Sequence, residues 1–326
     1  MQSRFDGHWT YLRLRAAALA SPRIGLAGIF VGALLLCFNS VVVRAQKVAD
    51  HDTTRNLWDT AFKATAKTSG RSAKNPTPRK YRVVTPKVSI NNVTADSVIG
   101  VTVWRLRPVA AADEGERIIV HEGASTAAWI PELVPGNAPL SEGNRVRLTI
   151  EAARTGYLYV IDREQYADGT FGEPLLVFPT TRTLGGNNQV QAGRLIDLPG
   201  QDDSPPFFTL KRSRTDQVGE MLTVIVTPEP LEELQIGDQA QTLSAKQVTV
   251  WEQKWGGQAG RLDLTEGRKR TWTSREKEAA TPNGRLLSHA EPAPQMLFYR
   301  PGAVASQPLL IKVQLRYGSA GRRPRR

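Results

Sequence analysis

The sequence predicts a mainly β fold: an antiparallel β-sandwich or a partly closed barrel with two short helical inserts. Three observations predict it. Twenty-one prolines and 27 glycines among 326 residues interrupt the chain too often for a helical bundle. Between residues 88 and 315, apolar side chains recur with period two in short β-branched runs. Clusters of Gly, Pro, Asn and Asp separate those runs, as turns separate strands. An apolar fraction of 40% and a charged fraction of 23% exclude wholesale disorder and fibrous repeats.

Taken in order, residues 98–107 (VIGVTVWRLR) alternate so that Val98, Thr102, Trp104 and Leu106 share one face, and Pro108 stops the run. Residues 117–122 give a shorter strand. Residues 145–151 (RVRLTIE) set Val146, Leu148 and Ile150 against Arg145, Arg147 and Thr149, the pattern of a half-buried strand. Residues 156–162 (GYLYVID) are apolar on both faces and fit a central strand covered on both sides. Further strands are predicted at 175–178, 194–198, 207–210, 221–227 and 309–316, with turns at Asp168-Gly169, Gly185-Gly186-Asn187-Asn188, Pro199-Gly200 and Pro205-Pro206. The Gly185-Gly186 run lacks the lysine of a phosphate loop and reads as a hairpin turn. The helical inserts are 244–255, with Val248, Trp251 and Trp255 on one stripe, and 273–280, which opens with the capping-box spacing Thr273 to Glu276.

The ends differ from the middle. Residues 1–45 carry a net charge of +4, residues 46–87 +7 and residues 316–326 +5, leaving −4 on residues 88–315, so the isoelectric point near 10.0 belongs to the ends. Arginines precede an apolar run from Ile24, and Val43-Arg44-Ala45 resembles a signal-peptidase site that would leave Gln46 first. Extended to Val43, the same run is 20 residues long, enough to cross a bilayer of about 30 Å as a retained anchor. Either way the chain is expected to be exported, periplasmic or extracellular. The single cysteine, Cys37, excludes a disulfide framework and any cysteine-based zinc site, and bulky Leu36 before it argues against a lipidation site. Residues 46–87 read as a basic flexible tether, with 55–67 a short amphipathic helix at most, residues 88–317 as the mainly-β domain, and 318–326 as a basic tail. Basic ends attract polyanions or anionic lipid weakly; a specific nucleic-acid partner is not expected, because the folded part is acidic.

One segment carries a family resemblance. The run Pro139-Leu140-Ser141-Glu142-Gly143-Asn144-Arg145-Val146 through Glu151, then Gly156-Tyr157-Leu158-Tyr159-Val160-Ile161-Asp162 and Val177-Phe178-Pro179, resembles the bacterial domain-of-unknown-function family 4384. Asn188, Val190, Ala192-Gly193 and Leu198-Pro199 fit the pattern, as does the strand at 219–226. The resemblance covers about residues 138–230, with Gly156, Tyr157, Tyr159, Asp162, Phe178 and Pro179 as its motif residues. It implies an accessory or sensing role near the envelope and transfers no catalytic residue.

No spacing points to a reaction. Asp162, Glu164, Asp168 and Glu173 echo the ligand count of a calcium loop, but Tyr166 and Ala167 stand where a ligand and a glycine belong, and a hairpin loop with solvated carboxylates accounts for the same residues. His51, His121 and His289 form no metal-protease motif, there is no G-x-S-x-G elbow, and His121 reads as a strand residue with a satisfied ring. Trp104 and Trp251 are expected in the core; Trp129, Tyr166, Trp255 and Trp272 are either ligand-stacking aromatics or covers over sheet edges. The expectation is therefore a non-catalytic envelope module with a protein partner and no cofactor. The alternatives are a binder of cell-wall glycan or anionic polysaccharide, and an exported hydrolase with an unrecognised site.

Overall fold

The computed structural model describes residues 81–318 apart from 86–87, 90–91, 123–124, 265–268 and 282–291. The chain divides into two compact units, residues 1–45 and 46–326, and the described residues belong to the second. The signal or anchor segment with Cys37, the helix at 55–67, His51, His289 and the tail from residue 319 lie outside the described residues. Among the described residues no helix is long and apolar enough to cross a membrane.

Two antiparallel sheets form the unit, and neither closes into a barrel. The larger contains β1 (Tyr81–Val83), β2 (Val98–Pro108), β3 (Ile118–Glu122), β4 (Ser125–Leu133), β5 (Arg145–Ala152), β9 (Leu195–Leu198), β10 (Phe208–Thr209), β13 (Gly260–Leu264) and β14 (Met296–Tyr299). The smaller contains β6 (Gly156–Tyr166), β7 (Leu175–Phe178), β8 (Gln189–Val190), β11 (Gln217–Thr227), β12 (Gln241–Thr242) and β15 (Leu309–Arg316). Strand β2 is the spine of the larger sheet: β5 runs along one side, and β14 then β4 share the other. The gap between β14 and β4 leaves backbone groups of Thr102 and Val103 without a strand. Gln295 fills it, since its Oε1 accepts from Val103 N–H at 3.0 Å and its side-chain amide donates to the Val134 carbonyl.

The main core lies between the sheets. Ile99, Val101 and Val103 of β2 and Val146, Leu148 and Ile150 of β5 meet Leu158 and Val160 of β6, Leu222, Val224 and Val226 of β11, and Ile311, Val313 and Leu315 of β15. Both sheets are also covered outside. Helix α1 (Ala245–Trp251), capped by Ser244, continues into a π turn, Glu252–Gly256, and lays Val248, Trp251 and Trp255 on Tyr159, Ile161 and Ile225. The two indoles stack at 5.5 Å. Helix α2 (Ser274–Ala279) starts at the predicted capping box, Thr273 with Glu276, and Ala279 packs with Val98 and Leu297 on the outer face of the larger sheet. This double covering explains why β2 and β6 are apolar on both faces.

Four expectations change. The ordered domain begins before residue 88: Tyr81–Val83 pairs with β13, and the Tyr81 ring is buried with its hydroxyl donating to the Pro294 carbonyl at 3.1 Å. Strand β5 is buried on both faces, because Arg147 lies under Pro206 and Trp272 and Thr149 is engaged by Asp197 and Trp104. Residues 162–166 continue β6 rather than forming a loop. Gly185-Gly186 sits in a short 3-10 turn between β7 and β8, which both pair with β6 along one edge, so it joins no hairpin.

Candidate functional site

Strand pairing brings three arginines together at one end of the larger sheet. Arg105 and Arg107 come from the last turn of pleat in β2, and Arg145 opens β5, directly opposite Leu106. Just before it, the Ser141–Asn144 turn closes when Asn144 Oδ1 accepts from Ser141 N–H at 3.0 Å. Across β2, β4 places Trp129 opposite Pro108. These residues line an open cleft of about 330 Å³.

The cleft's charges are ordered. The Arg145 guanidinium lies between aromatic faces, 4.3 Å from the Trp129 centroid and 4.5 Å from that of Phe207, a stabilising cation–π arrangement. Arg107 is held by Asp113 at 2.6 and 2.7 Å and by Glu132 at 2.6 Å. Hydrogen bonds from the Arg107 guanidinium and the Ala110 amide hold the Asp113 carboxyl down at about 2. Arg105 reaches Glu132 at 3.2 Å with its side chain 41% exposed. Arg105 and Arg107 thus meet two carboxylates on one face of the sheet, while Arg145, paired with Leu106, lies with Trp129 on the other, and all three arginines line the cleft with no acid among its lining residues.

A buried polar network backs this cleft. Arg147 pairs with Asp197 at 3.3 Å, donates to the Pro206 carbonyl and lies 5.6 Å from the Trp272 ring. Asp197 also accepts from Thr149 at 2.7 Å, and Thr149 accepts from the Trp104 indole at 2.8 Å. Burial pushes the Asp197 carboxyl up to about 6 against the opposing pull of Arg147. The network is enclosed, so it supports the cleft rather than contacting a ligand. Trp272, Trp255 and Tyr166 are buried covers, and Trp104 and Trp251 are core as expected; of the four weighed aromatics, Trp129 lines this cleft. A second cleft of about 330 Å³ lies at the open side of the sandwich, between Arg261 and Phe298 of the larger sheet and Leu310 to Lys312 of β15.

The calcium-like residues are not gathered into a cage. Asp162 and Glu164 point inward from β6, Glu164 accepts from the Tyr166 hydroxyl at 2.5 Å, and Asp168 closes its own turn by accepting from Thr170 at 2.7 and 2.9 Å. Among the described residues no group of three or more His, Cys, Asp and Glu is placed to hold a metal ion. His121 is exposed on edge strand β3, its Nδ1 at 3.0 Å from Thr126 Oγ1.

The remaining motif residues have structural roles. A Cβ on Gly156 would stand 2.2 Å from the Thr227 carbonyl oxygen, so the glycine permits β6 and β11 to close. Tyr157 and Tyr159 share the face toward α1, and the Tyr159 hydroxyl accepts from Leu231 N–H at 2.8 Å. Phe178 ends β7 in the core, and Pro179, with no amide to donate, follows it. Asn188, outside the quoted strands, donates its side-chain amide to the Leu158 carbonyl at 3.1 Å. No linear pattern marks the arginine cleft, whose members lie up to 40 residues apart and come to one end of the sheet through register alone. No family model, curated protein or solved structure matches the chain.

Proposed function

We propose that this chain is an exported, non-catalytic envelope module that captures a protein partner through an acidic segment seated in the Arg105–Arg145–Trp129 cleft. The observation that carries the reading is the cleft itself: an open hollow whose lining holds three arginines and no acid, each arginine oriented by neighbours before a ligand arrives. Pre-ordered guanidinium groups lose little freedom on meeting a carboxylate, and they favour bidentate contact. The signal-like N-terminus and the resemblance of residues 138–230 support placement at the envelope. A second reading, an anionic cell-wall polysaccharide, is favoured by Trp129, an aromatic residue lining the cleft beside its arginines.

Pelleting the full chain with purified cell wall, and capturing an acidic peptide with it in parallel, at low and at high salt, separates the two. The proposal expects peptide capture that weakens with salt, since exposed ion pairs are screened beyond about 8 Å at physiological ionic strength. Salt-resistant sedimentation with cell wall and no peptide capture would replace it with the glycan reading.

A further inference from the structure

Beyond the 140–144 turn that leads into Arg145, the inward columns of the long strands of the smaller sheet turn from apolar to ionisable. Strand β6 runs Leu158, Val160, then Asp162, Glu164 and Tyr166; β11 runs Val224, Leu222, then Glu220, which pairs directly with Glu164. Just beyond β15, Tyr317 follows Leu315 onto the same side. Glu220 is 94% buried, since only 6% of its surface remains. Its Oε1 accepts from the Tyr317 hydroxyl at 2.6 Å and from Gln217 Nε2 at 2.7 Å. Gln217 cannot flip, because its own oxygen accepts from Ser213 N–H at 2.8 Å. With Oε1 doubly engaged, a proton on this carboxyl belongs on Oε2, which is buried without a partner, as is Asp162 Oδ1.

We propose that this acid end is a proton-operated latch: while Glu220 is neutral it holds Tyr317, and through Tyr317 the end of β15 and the turn at Leu140. When Glu220 and Asp162 are both ionised, their repulsion and the lost hydration outweigh the stronger hydrogen bonds a carboxylate accepts from Tyr317 and Gln217, and that corner opens. The mechanical link is explicit. Leu140 N–H donates to the Arg316 carbonyl at 2.7 Å, Gly318 N–H donates to the Leu140 carbonyl at 2.8 Å, and the Tyr317 hydroxyl lies 3.4 Å from the Lys211 carbonyl. The charged groups facing Glu220 are Asp162 and Glu164 of β6 and, from the 210–216 segment, Arg212, whose guanidinium lies 5.0 Å over the Tyr317 ring. Arg214 and Asp216 are occupied with each other at 2.6 Å, Arg214 stacking on Tyr166. One cation therefore faces three carboxyls, and it meets the ring rather than an acid.

Burial first, and then the charge of Asp162, push the Glu220 carboxyl up to about 9, while burial and Glu164 push Asp162 up to about 7. The pair titrates as a unit. Both groups bind protons more tightly folded than unfolded, so stability is greatest below the ordinary carboxylate range near 4 and is lost as pH rises through 7 to 9.

Thermal unfolding of the full chain between pH 6 and 9.5, beside Glu220→Gln, tests the latch. Wild type is expected to lose several degrees of melting temperature across that range, and Glu220→Gln, which keeps a neutral acceptor for Tyr317, to lose markedly less. Equal slopes would overturn the proposal. Should the variant not fold, the carboxyl carbon resonance of Glu220 in the labelled wild-type chain decides: titration above pH 7 supports it, and titration near pH 4 to 5 refutes it. Amide exchange, corrected for intrinsic rate, should show protection lost at residues 315–318 and 140–144 at pH 9.5 but kept at Val224 and Ile225. Uniform loss, or none, would refute a local latch.

Discussion

Arg147 and Asp197 stand 50 residues apart in the sequence and meet with almost no solvent contact, 1% and 2% of their side-chain surfaces remaining exposed. A buried ion pair gives up hydration on both sides, so its net contribution is small while the loss of one member is severe. Asp197→Ala leaves a guanidinium in the core with carbonyls and rings for company. Chemical denaturation at pH 7 should show a loss of about 3–5 kcal/mol, the range for a stranded buried charge; a loss under about 1 kcal/mol would mean that water reaches Arg147. This network was not legible in the sequence. Alternation in residues 145–151 correctly separated Val146, Leu148 and Ile150 from Arg145, Arg147 and Thr149, but it could not tell a solvated polar face from one roofed by the loops bearing Pro206 and Trp272.

Individual elements were read best where β-branched residues alternate or a helix is capped. Strands β7 and β15 and both helices stand where periodicity and the Thr273–Glu276 spacing put them. Strands β4, β13 and β14 went unread for physical reasons. β14 is four residues buried on all sides, with no alternation to detect. β13 carries an Arg261–Asp263 pair at 2.7 Å and looks polar. β4 contains Pro131, which is tolerated because the Trp272 carbonyl that would face its missing amide accepts from Glu116 N–H at 3.0 Å, while the Pro131 carbonyl still accepts from Trp272 N–H at 3.0 Å. Within β6, Gly156 is the position with no freedom: its Cα faces the Thr227 carbonyl too closely for any side chain. Gly156→Ala should destabilise the fold by about 1–3 kcal/mol, the usual range for overpacking, as read from the urea midpoint. An unchanged midpoint would show that β6 and β11 can separate there at no cost.

Across the described residues, two covered sheets make a frame in which the 140–144 turn joins the arginine cleft to the acid corner. The fold class followed from composition and periodicity, with the sandwich rather than the partly closed barrel as its form, because β3 and β15 remain edges. The cleft did not follow, since no linear spacing relates Arg105 to Arg145. The central claim, recognition of an acidic partner at that cleft, is tested most directly by titrating the full chain with an acidic peptide and comparing wild type with Arg105→Glu. Arg105 is the most exposed of the cleft's ion-paired arginines, so its reversal leaves the core untouched. The account predicts roughly a tenfold or greater loss of affinity, equivalent to about 1.4 kcal/mol, with the melting temperature unchanged. Equal affinity in the two proteins would contradict it and assign polyanion binding to the basic ends of the chain.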